Sequence, residues 1–362
     1  MKQSTTKALY SVHAWTGIIT GLALFVVCFS GAIVVFKHEL DLWANPSLRS
    51  LPQPAQMATL DATLAALRQA HPQAHIDALH LPGPQMPAFT AFARLPDGER
   101  VKLAAHPETG ASLGRVDSEL GQFIRSLHVF LLFGPRWIVG ILGVVMLASI
   151  VTGVLIHQKI LKDLFTQRWH SSLRLMLSDA HKLIGVWALL FHVLIAFTGA
   201  WLGLSPVVMN AASHLAETPP APRGVSPPRH PTATATTPPS LDALRQQAER
   251  QLPQVRLQSV RLLEWNTPEA AVQFLGPATA GGGLFGSLTL RAADGFEVDR
   301  RDPVKAGFWM RVNGWMEPLH FGDFGGLTLK WLYFILGLSP ALLSLTGTWL
   351  WIERQQRGTS PP

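Results

Sequence analysis

The sequence has 362 residues, of which 48% are hydrophobic and 15% are charged, and the hydrophobic residues occur in long blocks. This composition excludes an ordinary soluble domain and indicates a membrane protein. The formal net charge is +7. Many of the basic residues flank apolar blocks, so this charge does not predict a nucleic-acid partner. The single cysteine excludes a disulfide within one chain and any site built from several cysteines.

Four apolar stretches predict transmembrane helices. They cover residues 9–36, 137–156, 183–204 and 327–351, and a half-apolar segment at 120–133 is expected to lie at the membrane interface. The third stretch would form a helix of about 33 Å, which is enough to cross a hydrocarbon core of about 30 Å. In the fourth stretch, Pro340 is expected to kink the helix because it frees the carbonyl of Leu336.

The distribution of lysine and arginine predicts the orientation. Basic residues are found in the 158–182 loop, which joins the second and third stretches, and at both termini, so these parts are expected to be cytoplasmic. The two long loops then lie outside. The predicted divisions are helix 1 (1–36), outer module 1 (37–119), interfacial segment and helix 2 (120–157), cytoplasmic loop (158–182), helix 3 (183–204), Pro-rich linker and outer module 2 (205–319), helix 4 (320–352) and cytoplasmic tail (353–362).

Each outer loop carries a small α+β pattern. The first loop predicts a helix at 60–70 and strands at 88–95 and 100–105. The second predicts a helix at 241–252 and strands at 255–263, 270–275 and 284–291. Residues 217–240 are rich in proline and threonine and read as a linker with almost nothing to bury.

The chain looks like an internal duplication. The segment from His13 to Gly17 matches the segment from His181 to Gly185. Every apolar stretch also holds a hydroxyl residue followed by glycine: Ser30-Gly31, Thr152-Gly153, Thr198-Gly199 and Thr346-Gly347. The sequence therefore predicts a unit of helix, module and helix that is used twice. The small residues allow close approach between membrane helices or against a flat macrocycle.

Histidines at matching depths indicate haem. His13 and His181 are duplicates at the inner ends of two helices, and His128 and His320 are their outer counterparts, with His38 as a further outer candidate. Histidines on opposite sides of a haem are common axial ligands. Two alternatives to the inner pair remain open, His157 and His170.

His192 lies near the midplane of the third stretch, eleven residues after His181. On one continuous helix the two histidines would share a face. His192 could hold haem opposite Met146 or opposite a re-entrant 128–135 segment, or it could simply be hydrogen-bonded to a neighbouring helix. The apolar stretches carry no deep acidic or basic residue, which disfavours an ion-coupled carrier and fits an electron conductor better.

Several motifs together resemble the PepSY-associated transmembrane family, whose members are iron-regulated inner-membrane proteins of Gram-negative bacteria. They are the His13-x-x-x-Gly17 segment, FKHELDLWANP at 36–46, AHKLIGVW at 180–187, FTG at 197–199 and LHFGDFGG at 319–326. The resemblance implies a mainly α membrane protein with four transmembrane helices, two small periplasmic PepSY-like modules and cytoplasmic termini. It also implies a membrane reductase of the ferrioxamine-reductase type.

On this reading the protein holds haem b, two groups in all, through His13, His181, His128 and His320, with His192 and His38 as further cofactor-binding candidates. Electrons would pass from a cytoplasmic donor or quinol to a periplasmic ferric siderophore of the hydroxamate type, and iron(II) would be released. The sequence assigns no catalytic residue. The alternatives are a non-catalytic PepSY protein that regulates a periplasmic protease, and a siderophore or solute permease.

Overall fold

The computed structural model describes residues 3–52, 55–157, 160, 165, 167–215, 240–265, 267–281 and 283–359, so nearly all of the predicted linker at 217–240 lies outside the described residues. The chain divides into two compact units. The helical unit comprises Met1–Lys37, Gly121–Pro219 and Met316–Pro362. The sheet unit comprises His38–Leu120 and Pro220–Trp315.

The helices, in chain order, are α1 (Gln3–Val34), α2 (Lys37–Ala44), α3 (Pro46–Arg49), α4 (Leu60–Ala70), α5 (Leu120–Phe130), α6 (Arg136–Ile156), α7 (Leu173–Trp187), α8 (Leu189–Leu215), α9 (Leu241–Gln251), α10 (Phe308–Phe321) and α11 (Gly326–Thr359). The strands are β1 (His75–His80), β2 (Phe89–Arg94), β3 (Arg100–Ala105), β4 (Ser112–Arg115), β5 (Ser259–Leu263), β6 (Ala271–Pro277), β7 (Phe285–Arg291) and β8 (Glu297–Arg301).

In the described part of the chain, four helices are long and apolar enough to cross a membrane. They are α1, α6, α8 and the helix that ends the chain, α11. This confirms the four predicted transmembrane stretches and makes the chain a multi-pass membrane protein. The half-apolar segment before α6 is itself helical, as α5, and it ends at Leu131 and Leu132, whose φ angles are positive.

The third predicted stretch is not one continuous helix. Ala188, with φ −95° and ψ 12°, separates α7 from α8, so His181 and His192 belong to different helices. The prediction that His181 and His192 share a face of one continuous helix therefore does not apply. Both nevertheless bond to α11, His181 through Thr346 and His192 through Ser339.

Glycines set the closest helix approach in this unit. A Cβ built on Gly203 of α8 would lie 2.5 Å from the Cα of Gly140 on α6, and one built on Gly143 would lie 2.9 Å from the backbone nitrogen of Ala200. Side chains larger than hydrogen would push these backbones apart, as expected where membrane helices pack through small residues. In the same unit α1 packs against α11 and α6.

The sheet unit joins both predicted modules into one antiparallel sheet of eight strands. The strand order is β4-β3-β2-β1-β5-β6-β7-β8. The two halves meet where β1 pairs with β5, with Leu79 opposite Val260. The expectation of two small modules is thus corrected to two α+β halves of a continuous sheet. Each half has one helix followed by four strands, an order that agrees with the duplication, which itself stays a prediction.

Two aspartates hold the N-termini of α4 and α9 together. The carboxylate of Asp242 accepts hydrogen bonds from the backbone N–H groups of Leu60 and Asp61, at 2.9 and 3.1 Å. In return, the carboxylate of Asp61 accepts from Leu241 and Asp242, at 3.0 and 3.1 Å. Each acid therefore caps the helix of the other half, where free N–H groups and the helix dipole favour negative charge.

We expect Asp242→Ala to lower the free energy of unfolding of the sheet unit by about 1–2 kcal/mol, the usual cost of losing a helix cap. Thermal unfolding of the full-length protein in detergent, followed by circular dichroism, measures the change. Glu108→Ala is the matched control, because Glu108 lies in an exposed turn of the same unit. Equal stability of the two variants would contradict the capping role.

Candidate functional site

Four histidines of the helical unit face each other in two pairs. His13 of α1 and His181 of α7 have their ring centroids 6.4 Å apart, with the ring planes at 87°. His128 of α5 and His320 of α10 have their centroids 5.9 Å apart, with the planes at 30°. These are the inner and outer pairs that the sequence analysis proposed from depth and duplication.

The first pair is held through Nδ1. The Nδ1 atom of His13 lies 3.0 Å from the carbonyl oxygen of Ser149, and that of His181 lies 2.8 Å from the hydroxyl of Thr346. Thr346 donates its own hydrogen to the carbonyl of Leu342, so its oxygen accepts from His181. Each ring therefore carries its proton on Nδ1, and the lone pair of a neutral ring is on Nε2.

The second pair is held in the same way. The Nδ1 atom of His128 donates to the carbonyl of Val27 at 2.8 Å, and that of His320 donates to the hydroxyl of Thr198 at 2.9 Å. Thr198 in turn donates to the carbonyl of Leu194. The described residues provide no hydrogen bond to the Nε2 atom of any of these four histidines. A ring fixed through Nδ1 with a free Nε2 is the usual state of a histidine that binds a metal.

Each paired histidine lies on a glycine of a neighbouring helix. A Cβ built on Gly31 would lie 2.7 Å from Cε1 of His128, and one built on Gly199 would lie 3.1 Å from Cε1 of His320. The corresponding distance is 3.3 Å both for Gly153 with His13 and for Gly347 with His181. All four glycines come from the hydroxyl-glycine pairs that the sequence analysis singled out. The glycines of those pairs therefore contact the histidine rings, and we call these four glycines, Gly31, Gly153, Gly199 and Gly347, the glycine seats.

The spacing of the rings suits a metal held by two imidazoles. With metal–nitrogen bonds of about 2 Å, two imidazoles bound to one metal would have ring centroids about 6 Å apart. The centroid distances of 6.4 and 5.9 Å are compatible with this. The described residues contain no cluster of three or more His, Cys, Asp or Glu side chains suited to a metal ion. Two histidines are enough when a porphyrin supplies the other four nitrogens.

Each pair lines its own cavity. The first cavity, about 500 Å³, contains His13 and His181, and the second, about 240 Å³, contains His128 and His320. The first volume falls within the range of about 300–1,000 Å³ that is typical of cofactor sites, and the second is slightly below it. The two histidine pairs lie toward opposite ends of the bundle, since His13 of the first pair and Gly31, which contacts His128 of the second pair, are about 27 Å apart along α1. Leu24, Cys28 and Met146 line both cavities.

Charged side chains accompany both cavities. Arg125, Arg136 and Glu317 line the second cavity, and the two arginines could pair with haem propionates. Lys182 lines the first cavity and bonds to Asp179 at 3.1 Å. Asp179 is buried and receives two further bonds from the guanidinium of Arg168, both at 2.7 Å. Hydrogen bonding to Arg168 is the main reason why the pKa of Asp179 falls below its ordinary value.

His192 is engaged differently from the paired histidines. It is buried in α8, and its Nε2 atom lies 2.6 Å from the hydroxyl oxygen of Ser339 on α11. Ser339 donates its hydrogen to the carbonyl of Leu336, which Pro340 frees as expected. This arrangement favours the alternative of a histidine bonded to a neighbouring helix. His192 also lines the first cavity, as does Met146, but no second histidine ring faces it there among the described residues.

The remaining histidine candidates are dispersed. His157, the C-cap of α6, lines the first cavity beside the His13 pair, so it stays an alternative ligand there. His170 is exposed in a turn before α7. His38 lies in the first turn of α2, in the sheet unit. The sequence analysis missed Ser339 as a partner of His192, and only the pairing of α8 with α11 reveals it.

Comparison with known proteins identifies the family of this chain. The chain is 30% identical over 257 residues to an uncharacterized protein of Pseudomonas aeruginosa, an alignment that covers 64% of this chain. It spans only 62% of the length of that relative. The family model of the PepSY-associated TM region matches residues 10–354, which is nearly the whole sequence. The chain therefore belongs to the PepSY-associated TM region family.

Proposed function

We propose that this protein is a haem-containing reductase of the bacterial inner membrane that passes electrons to periplasmic ferric siderophores. One observation carries the haem assignment: two facing histidine pairs, each ring anchored through Nδ1 and seated on a glycine of another helix. Each ring keeps an Nε2 lone pair that no described residue uses, as a metal-binding histidine does.

The chain's own residues would bind and tune the cofactor. His13 with His181 and His128 with His320 would supply the axial nitrogens, and the Nδ1 hydrogen bonds would fix ring orientation and raise ligand basicity. When bound, haem supplies reversible one-electron chemistry. Two histidines on the iron would suit electron transfer rather than oxygen binding. The apolar walls of the cavities would exclude water and adjust the reduction potential.

The acceptor and the direction rest on the family resemblance and on the charge distribution. By the positive-inside rule, the basic 158–182 loop and the basic termini would be cytoplasmic, so we propose that the His13–His181 end faces the cytoplasm and the His128–His320 end the periplasm. Ferric iron is bound strongly by hard oxygen ligands such as hydroxamates, and ferrous iron is bound less strongly. Reduction is therefore a release step, and the second cavity, which Arg125 and Arg136 line, would lie on the acceptor side.

The test starts from purified protein expressed with ample haem. We expect a low-spin b-type spectrum, with a sharpened Soret band and α band on reduction by dithionite. Under anaerobic conditions, ferric hydroxamate siderophore should reoxidise the reduced protein, and a ferrous chelator should capture iron(II). An iron-free siderophore is the matched control.

Each rival function has a different outcome. A colourless protein would contradict the haem assignment and leave a regulator of a periplasmic protease or a permease as the better reading. A red protein that ferric siderophore does not reoxidise any faster than iron-free siderophore would retain the haem sites but exclude this acceptor.

A further inference from the structure

The first cavity extends far beyond its histidine pair. Along α1 it is lined from Tyr10 to Cys28, a distance of about 27 Å at the rise of an α-helix. His13 lies near the Tyr10 end of this length. The opposite part of the cavity, toward Cys28, is therefore not accounted for by the His13–His181 pair, and His192 lies in that part together with Leu24 and Pro340.

His192 offers a hydrogen-bond acceptor in this part of the cavity, which it lines. Its Nε2 bonds to Ser339, whose hydrogen is donated to the carbonyl of Leu336. Nε2 is therefore the protonated nitrogen, and Nδ1 carries the lone pair. The described residues give Nδ1 no hydrogen-bond partner, so a ligand with a hydroxyl or N–H group would find an acceptor here.

The surroundings specify the rest of the ligand. Most of the side chains in this part of the cavity are apolar, among them Leu24, Leu189, Pro340 and Leu343. Ser344 is on the same wall, but it donates its hydroxyl to the carbonyl of Gly21. A ligand that fits must be apolar over most of its surface and must present a hydrogen-bond donor to His192.

We propose that this part of the cavity binds a membrane hydroquinone, with one of its hydroxyl groups donating to Nδ1 of His192. The inference rests on the proposed function and names the electron donor for it. A hydroquinone is the lipid-soluble redox donor with the required ring, hydroxyl groups and apolar tail. It would reach the site from the bilayer, and its ring would lie in the cavity that the His13–His181 pair also lines.

The reaction balances with two equivalents of the acceptor. One hydroquinone loses two electrons and two protons and becomes a quinone, and the two electrons reduce two ferric chelates to ferrous iron. The first proton leaves the hydroxyl for Nδ1 of His192. The neutral imidazole becomes an imidazolium that is held by Ser339, and it passes this proton to water. The second hydroxyl proton then leaves by the same route, through Nδ1 of the neutral imidazole to water.

The test uses the haem-loaded protein in lipid nanodiscs under anaerobic conditions. Decylubiquinol should reduce the haem, which is followed by its α band. His192→Phe should slow this reduction at least tenfold, because a positioned proton acceptor contributes about 100-fold or more. Haem content, reduction by dithionite and reoxidation by ferric siderophore should not change. Leu190→Ala is the control, since Leu190 is the exposed neighbour of this region on α8.

Binding is measured separately from electron transfer. Decylubiquinone should raise the unfolding temperature of the wild-type protein and of Leu190→Ala, because a ligand that binds the folded state stabilises it, but not that of His192→Phe. His192→Gln keeps an acceptor oxygen with little basicity. It should therefore retain part of the stabilisation while the rate of haem reduction by decylubiquinol still falls.

Three outcomes would overturn the inference. Wild-type protein that dithionite reduces and ferric siderophore reoxidises, but that decylubiquinol does not reduce, would retain the proposed function without this donor. An unchanged rate in His192→Phe would exclude His192 as the acceptor. Loss of haem from His192→Phe would make His192 a haem ligand instead. Failure of the wild-type protein to bind haem would count against the proposed function itself.

Discussion

Replacing His181 with alanine is expected to remove one haem and leave the other in place. The two histidine pairs lie at opposite ends of the bundle and have no anchoring residue in common, since His181 bonds to Thr346 and His320 to Thr198. On the proposed function, haem content should therefore fall from about two groups per chain to about one in His181→Ala, because each haem would be held by its own pair of histidines. His320→Ala should produce the same loss at the other site.

Electron paramagnetic resonance can identify which haem is lost. The ring planes are nearly perpendicular in the His13–His181 pair, at 87°, and closer to parallel in the His128–His320 pair, at 30°. Perpendicular imidazoles give ferric haem a strongly anisotropic low-spin signal, and parallel imidazoles give an ordinary rhombic one. His181→Ala should lose the first signal, and His320→Ala should lose the second.

The exposed His170 supplies the control, and His170→Ala should keep both signals. Loss of both signals in each single variant would show that the two sites are not independent. A complete low-spin signal in His181→Ala would make His157, which lines the same cavity, the better ligand. Neither result is compatible with the pairing seen in the structure.

The sequence was sufficient to find the transmembrane helices and to pair the histidines. Each helix is an apolar block of membrane length, a signal that depends on composition more than on detail. His13 and His181 could be paired because they occupy equivalent positions in two similar segments of the sequence, and their rings are neighbours in the structure. The pairing of His128 with His320 follows from the same reasoning.

The contact between the hydroxyl-glycine pairs and the histidine rings could not be predicted from the sequence. A glycine next to a threonine in a membrane helix is explained equally well by helix packing, which is what Gly140 and Gly203 do. Only the relative rotation and register of α6 and α1 show that Gly153 lies under His13. The same holds for His192, whose partner Ser339 is 147 positions away in the sequence.

The sequence pattern also did not predict that the strands of both modules form one sheet. β1 contains a bulge between Ile76 and Ala78 that interrupts its alternation of buried and exposed side chains, so it does not read as a strand. The edge strand β4 is only four residues long, and β8 is largely polar. Because the sequence pattern does not predict β1, the pairing of β1 with β5 that joins the two halves could not be predicted, and each module was expected to form a separate sheet.

Alanine substitutions at the four glycine seats should affect the haem in a graded order. The Cβ of Gly31→Ala would lie 2.7 Å from the ring of His128, which is inside normal contact distance, so the ring must move and its bond to the carbonyl of Val27 must weaken. The contact is less tight at Gly199, at 3.1 Å, and least tight at Gly153 and Gly347, both at 3.3 Å. Overpacking of this kind costs about 1–3 kcal/mol in a rigid site.

We therefore expect Gly31→Ala to convert most of the haem at the His128–His320 site to a high-spin or unbound form, Gly199→Ala to have a smaller effect, and the other two to have little. Low-spin haem per chain, measured for each variant, tests the order. Gly307→Ala is the matched control, because no atom lies within 4 Å of its added Cβ and Gly307 lines neither cavity. It should leave the haem unchanged. If Gly31→Ala and Gly307→Ala keep the same low-spin content, the glycines are packing residues and the histidines do not depend on them.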